Sequence, residues 1–419
     1  MNIRTATING FAKEARSRDA ARAVQFNEST APNAGAADLS ARVEKVAAVA
    51  ASHAAAVDAD ARFPSESIAA ARAQRLLSIA VPRELGGEGL GVADVVDVCY
   101  GLGRACASTA MIYAMHQTKV ACLVRHGRGS SWHQLLLRRL CAEQLLLASS
   151  TTEGQSGGDL RNSAAAVDGD ARITLERQAT VISYGEAADA VVTTARRAAD
   201  AASSDQVLVV FLKENYTLER LNGWDALGMR GTCSAGFKLV ASGLREQILP
   251  VSYATIHAHT MMPFAHLAWS SAWTGIAAAA VERARAFVRK AAQRSGGSLP
   301  PGATHLTRAI ASLRTLRCLI AASLQRFEAI SADPVALESL DFQTGMNMLK
   351  VNASELAVAT VMSAMQACGL AGYRNDGEFS MGRHLRDILS SPIMISNDRI
   401  LANVAAASLL AGTPASLRD

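Results

Sequence analysis

The order in which two kinds of sequence pattern follow each other constrains the fold of this chain most strongly. From about residue 36 to 127, and again from 263 onward, alanine- and leucine-rich stretches repeat apolar residues at helical spacing. Between about 145 and 242, short runs of strand-forming residues alternate with glycine- and aspartate-rich turns. Alanine loses no side-chain entropy on ordering, so the alanine runs strengthen the helical prediction. The predicted fold class is α+β, mainly α, with an N-terminal helical domain, a middle β-barrel or sheet domain, and a C-terminal four-helix bundle.

Changes in composition along the chain indicate where its domains begin and end. We predict an N-terminal extension at 1–35, a helical domain at 36–144, a β domain at 145–250 and a helical bundle at 251–419. The extension carries scattered arginines among alanine, serine and threonine, a pattern faintly similar to an organellar transit peptide. Its acidic residues weaken that interpretation. A disordered extension on a cytoplasmic protein is therefore the prediction.

Individual helices are predicted from the helical spacing of apolar residues, and strands from runs of strand-forming residues. The predicted helices cover 41–56, 65–79, 93–105, 108–125, 275–290, 305–330, 340–368 and 393–411. The predicted strands cover 179–184, 190–194, 207–212 and 237–240.

Charge and cysteine content exclude some classes of protein. The net charge of +5 comes from 42 basic and 37 acidic residues spread along the chain, which does not indicate nucleic-acid binding. A slightly positive protein suits an anionic ligand, such as a phosphate-bearing thioester carrier. The seven cysteines show neither a CxxC pair nor metal-ligand spacing, so reduced thiols and no metal site are predicted. No apolar run is long and clean enough to span a membrane.

Several short motifs follow one another in the order found in a known enzyme family. They are 63–65 (FPS) with 79–90 (IAVPRELGGEGL), 151–159 (TTEGQSGGD), 227–232 (LGMRGT), 275–290, 350–355 (KVNASE), 366–373 (QACGLAGY) and 382–387 (GRHLRD). These segments resemble motifs of the acyl-CoA dehydrogenase family: FP…vPeeyGGxGl, LTEPxAGSD, LGMRGT, the first helix of the C-terminal bundle, KxxASE, QxxGGxGY and xERxxRD. The resemblance covers roughly residues 40 to 411. It implies the three-domain fold of that family and a bound flavin, FAD by expectation, with FMN or reduced flavin as alternatives.

The resemblance also implies which residues of the β domain bind the flavin. Thr152 is expected to face the polar edge of the flavin ring, with Ser149 and Thr151 supplying amides and hydroxyls. Gly157 and Gly158 would allow the pyrophosphate to pass close to the backbone. As plain sequence, small hydroxyl residues followed by a glycine turn also let amides approach a polar ring edge or a phosphate. An ordinary Gly/Ser turn is the alternative interpretation.

The segment 180–184 is similar to the family motif xWITN and is predicted to be the next strand. By resemblance, Ser183 takes the place of the threonine beside the reactive nitrogen of the flavin. Val181 stands where many members have tryptophan, so ring stacking is lost there. As plain sequence, the segment is an alternating strand.

A helix end near residue 368 is predicted to serve a neighbouring subunit. In the family, the segment matched by Gln366, Cys368 and Gly369 reaches the adenine half of FAD bound mainly to the next subunit. Gly369 alone would be an ordinary helix stop. Together these residues favour full FAD and a homodimer or homotetramer.

The usual catalytic base of the family is not found at its expected position. That glutamate, which removes the α proton of the substrate, is matched by Ile395, and the alternative position in a minority of members is matched by Ala265. Neither side chain accepts a proton. His266 and Asp398 lie near these positions and are the candidate substitutes, with a packed histidine and a surface carboxylate as the alternative interpretations.

The phosphate-binding arginine of the family is also missing, because its position is matched by Ala291. Arg289 and Arg294 are candidate substitutes, since guanidinium groups bind phosphate in a bidentate manner. Asn397 and Arg399 complete the predicted cofactor-binding set.

Three functions are compatible with these features. We rank first the oxidation of an acyl thioester, carried on coenzyme A or a carrier protein, with hydride transfer to FAD. Second is a monooxygenase of the same fold that uses reduced flavin and oxygen, with His116, His266 or Ser183 stabilising the reacting oxygen. Third is a non-catalytic scaffold, which the retained Thr152, Ser183 and Gln366 argue against. An electron-transfer protein or a flavin reductase is the expected partner.

Overall fold

The first part of the chain folds into helices that pack on one another. The structure, a computed structural model, describes residues 34–153 and 162–410. The helices of this part are α1 (Ala34–Ala59), α2 (Ser65–Ala73), α3 (Val92–Ala105), α4 (Ala107–His126) and α5 (Ser131–Glu143). Most residues of α4 are buried, whereas α1 exposes its outer face. The extension predicted at 1–35 lies almost wholly outside the described residues.

The middle of the chain forms two three-stranded sheets. The strands are β1 (Leu147–Ser150), β2 (Arg172–Ala179), β3 (Ala190–Arg196), β4 (Gln206–Leu212), β5 (Tyr216–Arg220) and β6 (Phe237–Leu244). In the first sheet, β1 pairs in parallel with β3, and β3 pairs antiparallel with β4. In the second sheet, β6 lies between β2 and β5 and is antiparallel to both.

The two sheets are buried to different degrees. All residues of β3 and β4 except the last of each strand are buried, so both faces of these strands are covered. Buried residues alternate with more exposed ones along β2 and β6, as expected of strands with one face on the core and one toward water. One inward residue of β2 is a charged one, Arg177, which is 2% exposed.

The last part of the chain is helical again. After α6 (Tyr253–Ile256) and a π-helical turn (His257–Met261) come α7 (Met262–Arg294), α8 (Ala303–Ile330), α9 (Pro334–Glu338), α10 (Leu340–Cys368), α11 (Leu370–Tyr373), α12 (Gly382–Ile388) and α13 (Asn397–Ser408). The long helices α7, α8 and α10 pack side by side, and α13 packs against α10. α7 also packs against α3 and α4, which makes it the central helix of the molecule.

Glycines let α3 and α7 cross at close range. A Cβ atom on Gly103 would lie 2.3 Å from the carbonyl oxygen of Ala272, and one on Gly275 would lie 2.3 Å from that of Tyr100. Because both obstacles are backbone atoms, no side-chain movement would relieve either clash. The crossing therefore fixes α7 against the N-terminal helices.

The predicted strand at 180–184 is wrong, because this segment forms a turn after the end of β2. Tyr184 has a left-handed φ of 45°. The amides of Ile182 and Tyr184 each donate, at 2.8 Å, to the carbonyls of Ala235 and Thr232 in a neighbouring turn rather than to a strand. These contacts are far apart in sequence, so local strand preference could not reveal them.

The helix predicted at 393–411 begins later, as α13 at Asn397. Ile395 and Ser396 have left-handed φ values of 58° and 41°, which interrupt the helical path. The side chain of Ser396 accepts a hydrogen bond from the amide of Arg399 and so caps the helix.

Three further elements, α5, β2 and β5, are not among the helices and strands predicted from the sequence.

No helix in the described part of the chain is long and apolar enough to cross a membrane. All seven cysteines lie in that part, and none of them forms a disulfide. The domain boundaries given above stay predictions.

Replacing Gly103 by alanine should lower the free energy of unfolding by about 1–3 kcal/mol, because the added methyl overpacks the α3–α7 crossing. Gly223→Ala is the matched control, since nothing lies within 4 Å of its added Cβ atom. Urea unfolding followed by circular dichroism measures the difference between the two variants. Equal midpoints for both would show that the crossing is not close.

Candidate functional site

A cavity of about 830 Å³ lies where the three parts of the chain meet. Its walls come from α4, the end of β1, the turn after β2, the loop at 224–234, the π-helical turn, the first turns of α7, the first half of α10, and residues 386–403. This volume lies in the range of cavities that hold small-molecule ligands and cofactors, about 300–1,000 Å³. The cavity is therefore the candidate functional site.

One side of the cavity is apolar and rich in methionine. Met111 and Met115 lie one helical turn apart on α4, and they face the cavity together with Met261 and Met262. Trp269 of α7 belongs to the same lining, and its buried indole N–H has no hydrogen-bond partner in the described structure. Flexible methionine side chains adapt to an apolar ligand of irregular shape.

A chain of hydroxyl groups forms part of the polar side. The Oγ atoms of Ser183 and Ser234 are 2.7 Å apart, and Oγ of Ser234 is 2.8 Å from Oγ1 of Thr232. The Thr232 hydroxyl donates to the carbonyl oxygen of Met229 at 2.8 Å. A carbonyl only accepts, so Thr232 uses its proton there, Ser234 donates to Thr232, and Ser183 donates to Ser234. The oxygen of Ser183 is thereby left as an acceptor.

A buried ion pair holds the backbone that follows β1. The Glu153 carboxylate accepts from the amides of Ala164 and Ala165 at 2.5 and 3.2 Å and pairs with Arg177 at 3.4 Å. Arg177 also donates to Oγ1 of Thr194 at 3.0 Å. Burial lowers the pKa of Arg177 to about 10, although the Glu153 carboxylate opposes this shift. These contacts position the residues just before Glu153, which line the cavity.

The loop at 226–229 is clamped by the end of α12. The amide of Met229 donates to Oδ1 of Asp387 at 2.7 Å, and a Cβ atom on Gly228 would lie 2.1 Å from the carbonyl oxygen of Arg386. The Arg386 guanidinium forms an ion pair with Asp58 at the end of α1. One wall of the cavity therefore depends on contacts among all three parts of the chain.

Most of the chain matches two family descriptions. Residues 36–142 match "Acyl-CoA dehydrogenase, N-terminal domain", and residues 258–410 match "Acyl-CoA dehydrogenase, C-terminal domain". The chain belongs to the acyl-CoA dehydrogenase superfamily. The predicted fold class, mainly helical α+β with N-terminal helical, middle β and C-terminal helical domains, is confirmed.

Relatives of this superfamily member carry different activities in their names. Cyclohex-1-ene-1-carbonyl-CoA dehydrogenase of Syntrophus aciditrophicus (strain SB) is 25% identical over 354 residues, 80% of this chain and 80% of that protein. Amino sugar nitrososynthase DnmZ of Streptomyces peucetius is 25% identical over 351 residues, 80% of this chain and 84% of that protein. The crystal structure of FMN-bound TdsC from Paenibacillus sp. A11-2 matches with a TM-score of 0.77 and 17% identity, covering 90% of this chain and 98% of that one.

Many of the residues predicted from the sequence do meet at the cavity. They are Ser149, Thr151, Thr152, Val181, Ser183, Ala265, His266, Ile395 and Arg399. They come from four separate segments, 149–152, 181–183, 265–266 and 395–399, so their meeting is a property of the tertiary structure.

Other predicted residues lie elsewhere. Four of them are exposed and do not line the cavity, namely Arg294, Gln366, Gly369 and Asp398. Cys368 is buried, and Asn397 is buried with its side chain bonded to Lys350 and Ser354. Gly157 and Gly158 lie outside the described residues.

The two histidines proposed from the sequence are held by the backbone. His116 is buried, with Nε2 2.8 Å from the carbonyl of Leu77 and Nδ1 accepting from the amide of Leu147 at 3.0 Å, so both ring nitrogens are occupied. In His266, Nδ1 lies 2.9 Å from the carbonyl of Met346 and must carry the proton. Burial lowers the pKa of His266 to about 3, so the ring is neutral near pH 7.

No aspartate or glutamate lines the cavity among the described residues. The ionisable groups of its lining are basic or neutral: Lys119, His257, His266, Arg386 and Arg399. Sequence reasoning missed Lys119, Thr232 and Ser234. The sequence signal for Lys119 is that no other lysine, arginine, aspartate or glutamate stands between Arg104 and Arg125, in a stretch with the pattern of a helix.

Asp387 makes the stability of the clamp depend on pH. Burial raises its pKa from the usual value of 3.8 to about 6. Because the pKa is higher in the folded chain, the native state binds more protons than the unfolded chain between about pH 4 and pH 6. The contribution of Asp387 to stability is therefore full below that window and is lost as the pH rises through it.

Asp387→Asn removes this titration and keeps an oxygen that accepts from Met229. Relative to the wild type, the variant should gain on the order of 2 kcal/mol in free energy of unfolding as the pH rises from 4 to 7. Urea unfolding at several pH values measures this gain, and the exposed Asp398→Asn supplies the background. A stability difference that does not change with pH would contradict this role of Asp387.

Proposed function

We propose that this flavin-dependent oxidoreductase is a monooxygenase, which uses reduced flavin and molecular oxygen to oxygenate an apolar small molecule. The observation that carries the proposal is the absence of any carboxylate among the described residues of the cavity lining. Dehydrogenation of a thioester needs a base that removes the α proton of the substrate. Oxygenation of an apolar substrate by reduced flavin and oxygen does not need such a base.

The residues near the expected base positions do not supply one. Ile395 and Ala265, which match the two glutamate positions of the family, both line the cavity and have no ionisable group. His266 has a pKa near 3 and would hold an abstracted proton poorly near pH 7. Asp398, the other candidate substitute, is exposed and does not line the cavity.

The residues present fit a flavin. Ser149, Thr151 and Thr152 offer polar groups at one edge of the cavity, and the indole N–H of Trp269 is a buried donor that bonds to none of the described residues. When bound in reduced form, the flavin supplies two electrons, so that one atom of O₂ enters the substrate and the other leaves as water. The apolar methionine wall excludes water from the reacting groups and receives an apolar substrate.

The orientation of the hydroxyl chain favours the reduced flavin. Ser183 donates to Ser234 and therefore presents an oxygen lone pair, because Thr232 commits the proton at the far end of the chain to Met229. By resemblance, Ser183 lies beside the reactive nitrogen of the flavin. That nitrogen carries an N–H group only in the reduced form, and an acceptor matches it.

Relatives support the two leading candidates unequally. TdsC, which shares the fold, is named a dibenzothiophene monooxygenase and binds FMN in its crystal structure. The amino sugar nitrososynthase relative is also named for chemistry other than thioester dehydrogenation. Thioester oxidation, ranked first from the sequence, remains the second candidate because a CoA dehydrogenase is 25% identical over 80% of this chain.

We further propose a homodimer or homotetramer. The end of α10 presents Gln366 and Gly369 at the surface, and Leu370 and Tyr373 beside them are 72% and 74% exposed. An exposed apolar pair next to a predicted cofactor contact suits a neighbouring subunit.

The reaction type is tested with flavin, NADH, a flavin reductase and oxygen-18 gas, using indole and dibenzothiophene as probes. We expect mass spectrometry to find one labelled oxygen atom in the product. In a separate anaerobic experiment, oxidised flavin-loaded protein is mixed with a panel of acyl-CoA thioesters, and the flavin absorbance should stay unchanged. Bleaching of the flavin with formation of an unsaturated thioester would overturn the monooxygenase and favour the second candidate.

Thr232→Val removes the hydroxyl that orients the chain and preserves its volume. Ser183 is then free to turn into a donor, so the preference for reduced over oxidised flavin should fall about tenfold. Anaerobic titration with reduced FMN and aerobic titration with oxidised FMN measure the two dissociation constants. Thr118→Val is the matched control, because this cavity hydroxyl donates to the carbonyl of Ala114 in its own helix. An unchanged ratio would contradict the assigned orientation.

A further inference from the structure

One charged group of the cavity has no role in the chemistry described above. Lys119 lies on α4 in the same stripe as Met111, Met115 and Thr118, which all line the cavity. Only 3% of Lys119 is exposed. Its Nζ donates a hydrogen bond to the sulfur of Met261 at 3.5 Å. Sulfur in a thioether is a weak acceptor, so the ammonium is poorly satisfied.

Within the part of the chain that the structure describes, no carboxylate compensates this charge. The described lining of the cavity contains neither aspartate nor glutamate. Burial lowers the pKa of Lys119 to about 8, and the opposing electrostatic influence comes from the Cys122 thiol and not from an acid. Near pH 7 the group is still mostly protonated, so the described wall of the cavity presents an ammonium that no carboxylate of that wall faces.

A second buried lysine shows what a satisfied one looks like in this protein. Nζ of Lys350 donates to Oδ1 of Asn397 at 2.7 Å and lies 5.8 Å from the centre of the Trp273 ring. Glu355 also acts electrostatically in favour of its charged form. Lys350 does not line the cavity. The contrast indicates that the ammonium of Lys119 finds its hydrogen-bond acceptor in a ligand, whereas the ammonium of Lys350 finds its acceptor within the protein.

We propose that Lys119 binds a carboxylate, or an equivalent small anionic oxygen group, of the substrate. The substrate class is then an apolar molecule, aromatic or aliphatic, with one such group at the end that meets α4. This inference rests on the proposed function, because it names the substrate of the same cavity. A charge-assisted hydrogen bond to a desolvated ammonium anchors that end. The methionine wall holds the apolar remainder.

The same anionic chemistry could come from the flavin instead of the substrate. A phosphate or the polar ring edge of the cofactor would also accept from an ammonium. The experiment therefore measures flavin binding and carboxylate binding separately, on the full-length protein.

The experiment compares carboxylates with their neutral amides. Phenylacetate, indole-3-acetate and naphthylacetate are titrated calorimetrically into FMN-saturated protein, each beside the corresponding amide. We expect at least one acid to bind about tenfold or more tightly than its amide. If no acid in the panel is preferred over its amide, the proposal is overturned. This comparison needs no variant, so it stands even if a substitution prevents folding.

Lys119→Met then tests the residue itself, since methionine keeps the apolar stem and removes the charge. The variant should lose the preference for the acid and bind the amide as the wild type does. Lys45→Met, on the exposed face of α1, is the control and should keep the preference. A variant that retains the preference for the acid, or that loses FMN binding instead, would overturn the assignment to the substrate.

These outcomes are separate from those of the proposed function. Oxygen-18 incorporation and thioester bleaching report the reaction, whereas the acid-to-amide ratio reports the anchor. If thioesters bleach the flavin but the acid preference depends on Lys119, the reaction type is wrong and the anion site stands. If labelled oxygen is incorporated and no acid preference is found, the reaction type stands and the anion site is wrong.

Discussion

The cavity of this protein depends on one junction where all three parts of the chain are tied together. Arg386 at the end of α12 forms an ion pair with Asp58 of α1 and also donates to the carbonyl of Leu227 at 3.1 Å. The adjacent Asp387 accepts the amide of Met229. An irregular loop has no ladder of its own, so its backbone groups must find partners elsewhere. Here those partners come from helices that lie far away in sequence, and they turn the loop into a wall of the site.

The electrostatic character of the cavity is as informative as its shape. Its described lining combines hydroxyls, two histidines and cationic groups with a methionine-rich wall, and it contains no carboxylate. Such a site can orient a polar ring edge and attract an anion, but it offers no strong base at the surface of the ligand. Buried carboxylates do occur close by, in Glu153 and Asp387. Both carboxylates accept hydrogen bonds from backbone amides, so these two acidic groups position the walls of the cavity.

The amount that could be predicted from sequence differs between the helices and the β region. The long helices were readable because their apolar spacing is local, and α10 was predicted with the bounds that the structure shows. In β2, the inward position held by Arg177 disguised the alternation that would mark a strand. The sequence of 180–184 predicts a strand because its residues alternate. It is a turn because its amides bond to another turn some fifty residues later in the chain. Site residues were found where motifs resembled the family, at Thr152 and Ser183, and missed where no motif existed, at Lys119 and Ser234.

The sequence alone indicates the succession of helices, strands and helices, the motifs that resemble those of the superfamily, and the presence of isoleucine at 395 and alanine at 265. Each of these is written in local spacing or in residue identity. The tertiary structure alone decided which polar groups are satisfied. Lys119 and Lys350 are both lysines within apolar helices, yet only Lys350 meets an amide oxygen. Likewise, Ser183 is an acceptor only because Thr232, forty-nine residues later in the chain, donates to a carbonyl. Hydrogen bonding and desolvation depend on neighbours in space, and packing chooses those neighbours.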